Sequence, residues 1–143
     1  MASKAADILD GVVETLRTAE AFSTVCLGLA ASQTNVPRAE IIYEGLEMLS
    51  PDDSAATVWC RLRASVNIYT RAADAAIATK RADELAEATE GALLADPYRN
   101  GKCVDLPVGA ATEVQRTRPI TGLKRPDVGV TIELRCHFEK DQS

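Results

Sequence analysis

The chain has 143 residues, 46% of them hydrophobic and 26% charged, with a formal net charge of −5 at pH 7. That length suits one domain spanning residues 1–143, and the composition excludes a disordered polypeptide. The acidic balance argues against a general nucleic-acid binder, which would carry a basic surface.

Ser3 is placed to cap a helix expected from Lys4 to Ala21, because Ile8, Leu9, Val12, Val13 and Leu16 recur at helical spacing. A short strand is expected from Ser23 to Leu29, then a polar connection from Ala31 to Pro37 and a second strand from Ala39 to Met48. Gly45 inside that strand marks a bulge. Ser50 to Ser54 reads as a turn, since Pro and short polar side chains favour one. The third strand has the strongest pattern. Val58, Cys60, Leu62, Ala64, Val66 and Ile68 alternate with Trp59, Arg61, Arg63, Ser65 and Asn67, which predicts one buried and one outward face.

Asp74 to Ala95 is rich in Ala, Glu, Lys and Leu and predicts a helix whose inner face carries Ile77, Ala78, Ala82, Leu85, Ala92 and Leu93. Asp96-Pro97 stops it, and Arg99-Asn100-Gly101-Lys102 reads as a loop. A fourth strand is expected from Ala111 to Thr117; Pro119 ends it or puts it at a sheet edge, because proline has no N–H to donate. Ile120 to Asp127 reads as a loop. A last alternating strand runs from Val128 to Phe138, and Glu139 to Ser143 is a polar tail. The order α-β-β-β-α-β-β predicts an α+β fold, a mainly antiparallel sheet with two helices packed on one face.

No apolar run is long enough to span a bilayer and no signal peptide is evident, so the chain is expected to remain in the cytoplasm where it is made. The four cysteines fit that compartment. Cys26, Cys60 and Cys136 sit in apolar strand patterns, and the spacing matches neither a zinc site nor a disulfide framework.

Little in the inventory points to catalysis. The single histidine, His137, falls at an outward strand position and reads as solvated, without a nominated partner. Cys103, Cys136 and His137 make a poor ligand set, because the last two are adjacent on a strand and point opposite ways. Phosphate-cradling glycine loops are absent, Asp52-Asp53 reads as a turn, and Glu84, Glu87 and Glu90 as a solvated helix face. No catalytic, cofactor-binding or metal residue is therefore nominated. The outward set Trp59, Arg61, Arg63 and Tyr69 stands out, because aromatics and arginine are enriched at interfaces. It is a candidate subunit or partner interface, or else an ordinary charged strand face. Residues 1–57 hold nine acids and three bases, while 58–143 hold twelve acids and thirteen bases. Such an imbalance suits head-to-tail self-assembly and also occurs in monomers.

Five segments together carry a resemblance: ADILDGVVETL, NVPRAEIIYEG, VWCRLRASVNIYT, KRADELAEATEGALLAD and GLKRPDVGVTIELRCHFE. In element order, length and hydrophobic pattern, from Ala5 to Glu139, the chain resembles the tail terminator proteins of long-tailed bacteriophages, the lambda-like minor tail proteins. The resemblance implies a non-enzymatic virion protein that sits as a homohexameric ring on the last ring of tail-tube protein. Such a ring stops tube polymerisation and presents a surface to head-completion or connector proteins. DNA would only pass through its lumen, where an acidic lining does not hold phosphates. The cysteine count and short C-terminal tail depart from the family's pattern. Other readings are a different neck or head–tail connector protein, or a small ligand-sensing domain with a pocket between helices and sheet.

Overall fold

The computed structural model describes residues 3–29, 36–49, 57–120 and 127–141. Its elements follow the expected α+β order: α1 (Lys4–Thr18), β1 (Thr24–Leu27), β2 (Arg38–Met48), β3 (Thr57–Arg71), α2 (Ala75–Leu94), β4 (Thr112–Ile120) and β5 (Asp127–Asp141). The strands form one five-stranded sheet in the order β1-β2-β3-β5-β4. β1 runs parallel to β2, and every other pair is antiparallel. The expected turn at Ser50–Ser54, residues 31–35 of the first connection, residues 121–126 of the late loop and residues 142–143 of the tail lie outside the described residues.

Alternation along β3 and β5 builds the core. The pairs Cys60–Phe138, Leu62–Cys136, Ala64–Leu134, Val66–Ile132 and Ile68–Val130 face each other across the two strands, and all ten side chains are buried. Paired residues of a ladder share a face, so this register puts both apolar sets under the helices. β5 continues to Asp141, past the expected end at Phe138, because β3 extends opposite it and Thr57 pairs with Asp141. At Gly45 the β2–β3 register shifts, and the glycine adopts φ +146° in the expected bulge.

The two helices lie on that apolar face. Ser3 caps α1 by accepting from the Ala6 amide at 3.0 Å, and Ile8, Leu9, Val12, Val13 and Leu16 are its buried stripe, as the spacing predicts. The helix stops three residues before Ala21, since Glu20 takes a left-handed φ of 56°, where a helix cannot continue. Asp74 caps α2, accepting from the Ala76 amide at 2.7 Å.

The inner face of α2 is as expected at Ala78, Ala82 and Leu93, and Leu85 packs against the core, but Ile77 is not part of it. Its buried stripe is Ala78, Ala82, Ala86, Thr89 and Leu93, while Ile77 is 52% exposed. The methyl-sized stripe lets the helix approach the sheet closely, and Arg116 of β4 fixes its rotation by pairing with Asp83 and Glu90. β4 is the terminal strand, as Pro119 requires, and the irregularity between Arg116 and Pro119 absorbs the missing donor.

All four cysteines are free; Cys60, Cys103 and Cys136 are buried and Cys26 half-buried. Burial pushes the Cys26 and Cys60 thiols up. Cys103 donates to the sulfur of Cys136, which together with burial raises the Cys103 thiol much further. Titration of the denatured, unreduced protein should find four thiols, and Cys26 should react ahead of the others in the native state. A yield of two would mean that Cys103 and Cys136 are joined. Among the described residues, no helix is long and apolar enough to cross a membrane.

Candidate interaction surface

The second face of the sheet carries the odd-numbered residues of β3, and the cross-strand register sorts them into rows. One row is Trp59 opposite Glu139; the next is Glu47, Arg61 and His137; the third is Gly45, Arg63, Arg135 and Glu113. Further along come Ser65 with Glu133, Asn67 with Thr131, and Tyr69 with Arg38 on one side and Gly129 on the other.

Trp59, Arg61, Arg63 and Tyr69 therefore share a face, as their alternation requires, but they do not form one patch. Tyr69 covers the Arg38 guanidinium, 4.1 Å from its carbon to the ring centroid, and Arg38 pairs with Glu40 at 3.1 Å. Arg38 and Glu40 are buried, so this corner is an internal charged cluster. Burial pushes the Tyr69 hydroxyl up, with the nearby Glu40 carboxylate acting in the same direction.

The two β3 arginines lie at the other end and share one carboxylate. Glu47 is 3.5 Å from Arg61 and 3.6 Å from Arg63. Arg135 stands directly across from Arg63 and reaches Glu133 at 3.7 Å, while Ser65 donates to Glu44 at 2.8 Å. Half-exposed pairs at these distances are individually weak, on the order of 0–1 kcal/mol, so the lattice is open to exchange with a partner's charges. Arg63 is exposed and Trp59 and Arg135 partly so, beside the exposed carboxylates of Glu44 and Glu139.

His137 overturns the expectation of a solvated side chain: it is 0% exposed. Its outward direction is as expected, but the segment 104–111 folds over it. The Val104 amide donates to the His137 carbonyl at 3.0 Å, and the His137 amide donates to the Ala111 carbonyl at 2.9 Å. The ring is held at both nitrogens: Nδ1 lies 2.6 Å from the Ala110 carbonyl oxygen, and Arg61 Nε donates to Nε2 at 3.0 Å. Gly109 packs on the ring, where an added Cβ would come within 2.5 Å of His137 Cε1. Gly109→Ala is expected to cost about 1–3 kcal/mol through overpacking, read as a lower urea midpoint at unchanged slope.

Sequence reasoning also missed the open edge of β2. β1 ends where Leu27 pairs with Ile41, so among the described residues β2 has no neighbour on that side beyond this point. There Tyr43, Leu46 and Met48 are exposed on the helix-bearing side. The alternation could have signalled them, since the apolar set of β2 continues past the reach of a short β1. The arginine of the 99–102 loop was missed as well. Arg99 lies at the wall of a 350 Å³ concavity with Asp7, Glu14, Asp96 and Lys102. Its guanidinium is committed to the end of α2 and the body of α1: Arg99 donates to the Leu93 and Asp96 carbonyls, the Gly11 carbonyl and the Thr15 hydroxyl. Among the described residues no three His, Cys, Asp or Glu side chains converge to hold a metal.

No protein-family model matches the chain, and no curated protein matches it significantly in sequence.

Proposed function

We propose that the chain is a structural subunit of a bacteriophage tail, a tail-terminator-like protein that closes into a ring, caps the tail tube and meets the head-completion proteins. The observation that carries this reading is the one-sided architecture. Both helices cover one sheet face, and the other carries Trp59, Arg63 and Arg135 in a loosely paired charge lattice. The open edge of β2, with exposed Tyr43, Leu46 and Met48, adds a second surface of the kind subunits bury. Two such surfaces on different sides of one molecule suit a head-to-tail contact, which needs ring closure to avoid running on into a filament. The element order agrees with the resemblance carried by the sequence. The acidic balance is compatible with a lumen through which DNA slides without being held.

The decisive experiment is electron microscopy of tail tubes assembled with the protein. A single ring at one tube end is the expected result. Repeated rings along the tube, or no association with it, overturns the reading, and a ring seated at the portal instead would favour a head–tail connector. Arg63→Ser with Arg135→Ser is the cleanest variant, because Arg61 is tied to the buried His137 and its loss would disturb the fold. This variant should weaken capping while changing the unfolding free energy by less than about 1 kcal/mol.

A further inference from the structure

The geometry points to His137 as a proton-operated latch on Arg61. The ring's two contacts leave one protonation state. A carbonyl oxygen only accepts, so Nδ1, 2.6 Å from the Ala110 oxygen, carries the hydrogen. A guanidinium only donates, so Nε2, 3.0 Å from Arg61 Nε, presents its lone pair. The imidazole is therefore neutral, in the Nδ1–H form, and wholly buried. A proton added at Nε2 sets N–H against N–H and cation against cation at hydrogen-bond distance. Arg61 is the member able to leave: its side chain is 23% exposed, and its far end already reaches Glu47 at 3.5 Å. His137 cannot leave, because its backbone is bonded to both Val104 and Ala111.

The charged groups around the ring determine where each partner goes on protonation. From β3 comes Arg61; from β2, Glu47 through Arg61; from β4, Glu113, whose Oε1 is 4.0 Å from Nδ1. On β5 itself Arg135 and Glu139 lie two residues to either side on the same face. In the covering segment, Asp105 is committed to the Ala111 amide and the Tyr98 hydroxyl. Glu113 is thus the carboxylate nearest an imidazolium, on the side away from Arg61. Protonation pulls the ring toward Glu113 and the 104–111 segment while expelling Arg61 outward, toward Glu47 and Arg63. The latch converts a proton into a guanidinium released from the ring onto the charged face, where Arg61 and Arg63 compete for Glu47. It is an intramolecular device and stands whether or not the face meets a tail tube.

With one histidine in the chain, the test is direct. Nitrogen-15 NMR of the monomer at about pH 8 should give the Nδ1–H tautomer and a slowly exchanging Arg61 Nε–H. On acidification, for as long as the fold persists, the histidine, Arg61 Nε–H and the 104–111 amides should move along one curve, and a histidine that takes up no proton overturns the latch. Exchange of Arg61 Nε–H should speed up roughly two- to tenfold beyond the intrinsic pH effect, as expected for loss of one hydrogen bond. His137→Gln supplies an acceptor without a titrating group, and it should keep Arg61 protected and pH-insensitive. The latch is overturned by an Nε2–H tautomer at high pH, by an Arg61 signal that ignores the histidine's titration, or by a pH response that survives in His137→Gln.

Discussion

Replacing Arg99 by Met is expected to lower the unfolding free energy by about 3 kcal/mol, seen as a shifted urea midpoint. Arg99 is 5% exposed and joins the two helices. Its donors reach the Leu93 and Asp96 carbonyls at 3.1 and 3.4 Å, at the C-terminal end of α2, where a cation also complements the helix dipole. Others reach Gly11 at 3.2 Å and Thr15, in the middle of α1. Hydrogen bonds to a charged group contribute about 1.5–3 kcal/mol each, and desolvating the guanidinium offsets part of their sum. Nε has no partner among the described residues, so the site is imperfect and the sum is smaller than four ideal bonds. The backbone supplies a control. Arg99 sits at φ +49°, beside Asn100 at +59° and Gly101 at +82°. Arg99→Gly relieves that left-handed strain, so it should be less damaging than Arg99→Ala by about 1 kcal/mol. Equal losses for Gly and Ala would mean that the strain is absent.

A comparable loss is expected at the centre of the sheet. Leu134→Ala should cost about 2–5 kcal/mol, since Leu134 is fully buried, pairs with Ala64 on one side and Val114 on the other, and lies under α2. Its small neighbour Ala64 cannot move in to fill the gap. On the same strand pair, Gln115→Ala faces the other side and should change stability by less than about 0.5 kcal/mol. A large loss at Gln115 with a small one at Leu134 would require a register shifted by one residue.

How much of this was legible in the sequence depends on what each residue's pattern encodes. Alternation is a local property, so Val58 to Ile68 and Val128 to Phe138 announce their strands and their two faces. Which strands become neighbours is not local: nothing in those patterns places β5 between β3 and β4, or sets β1 parallel to β2. The phase of α2 is legible only in part: Ala78, Ala82 and Leu93 are placed correctly, but eight alanines between 75 and 95 leave little contrast between faces, and Ile77 is misassigned. His137 illustrates a different gap. Parity gives its direction correctly, but outward from a strand is not outward from the protein when another segment folds over it. Gly109 is the available clue, as a residue without Cβ where the loop must touch a ring. Of the four candidate interface residues, Arg63 and Trp59 face solvent at least in part, Arg61 is spent on His137, and Tyr69 belongs to the Arg38 cluster.

The strand order also sets a timetable for synthesis. β3 is the middle of the sheet, yet one of its two neighbours is the last element made, ending 70 residues after Arg71 at Asp141. At roughly 5–20 residues per second, a ribosome leaves β3 without that neighbour for about 4–14 s. Throughout that interval Trp59, Arg61 and Arg63 flank an apolar strand whose far edge is bare, so every nascent copy passes through an aggregation-prone state. A chain cut between Arg71 and Val128 would never leave it, and nonsense alleles between β3 and β5 should accumulate as inclusion bodies instead of partly working fragments.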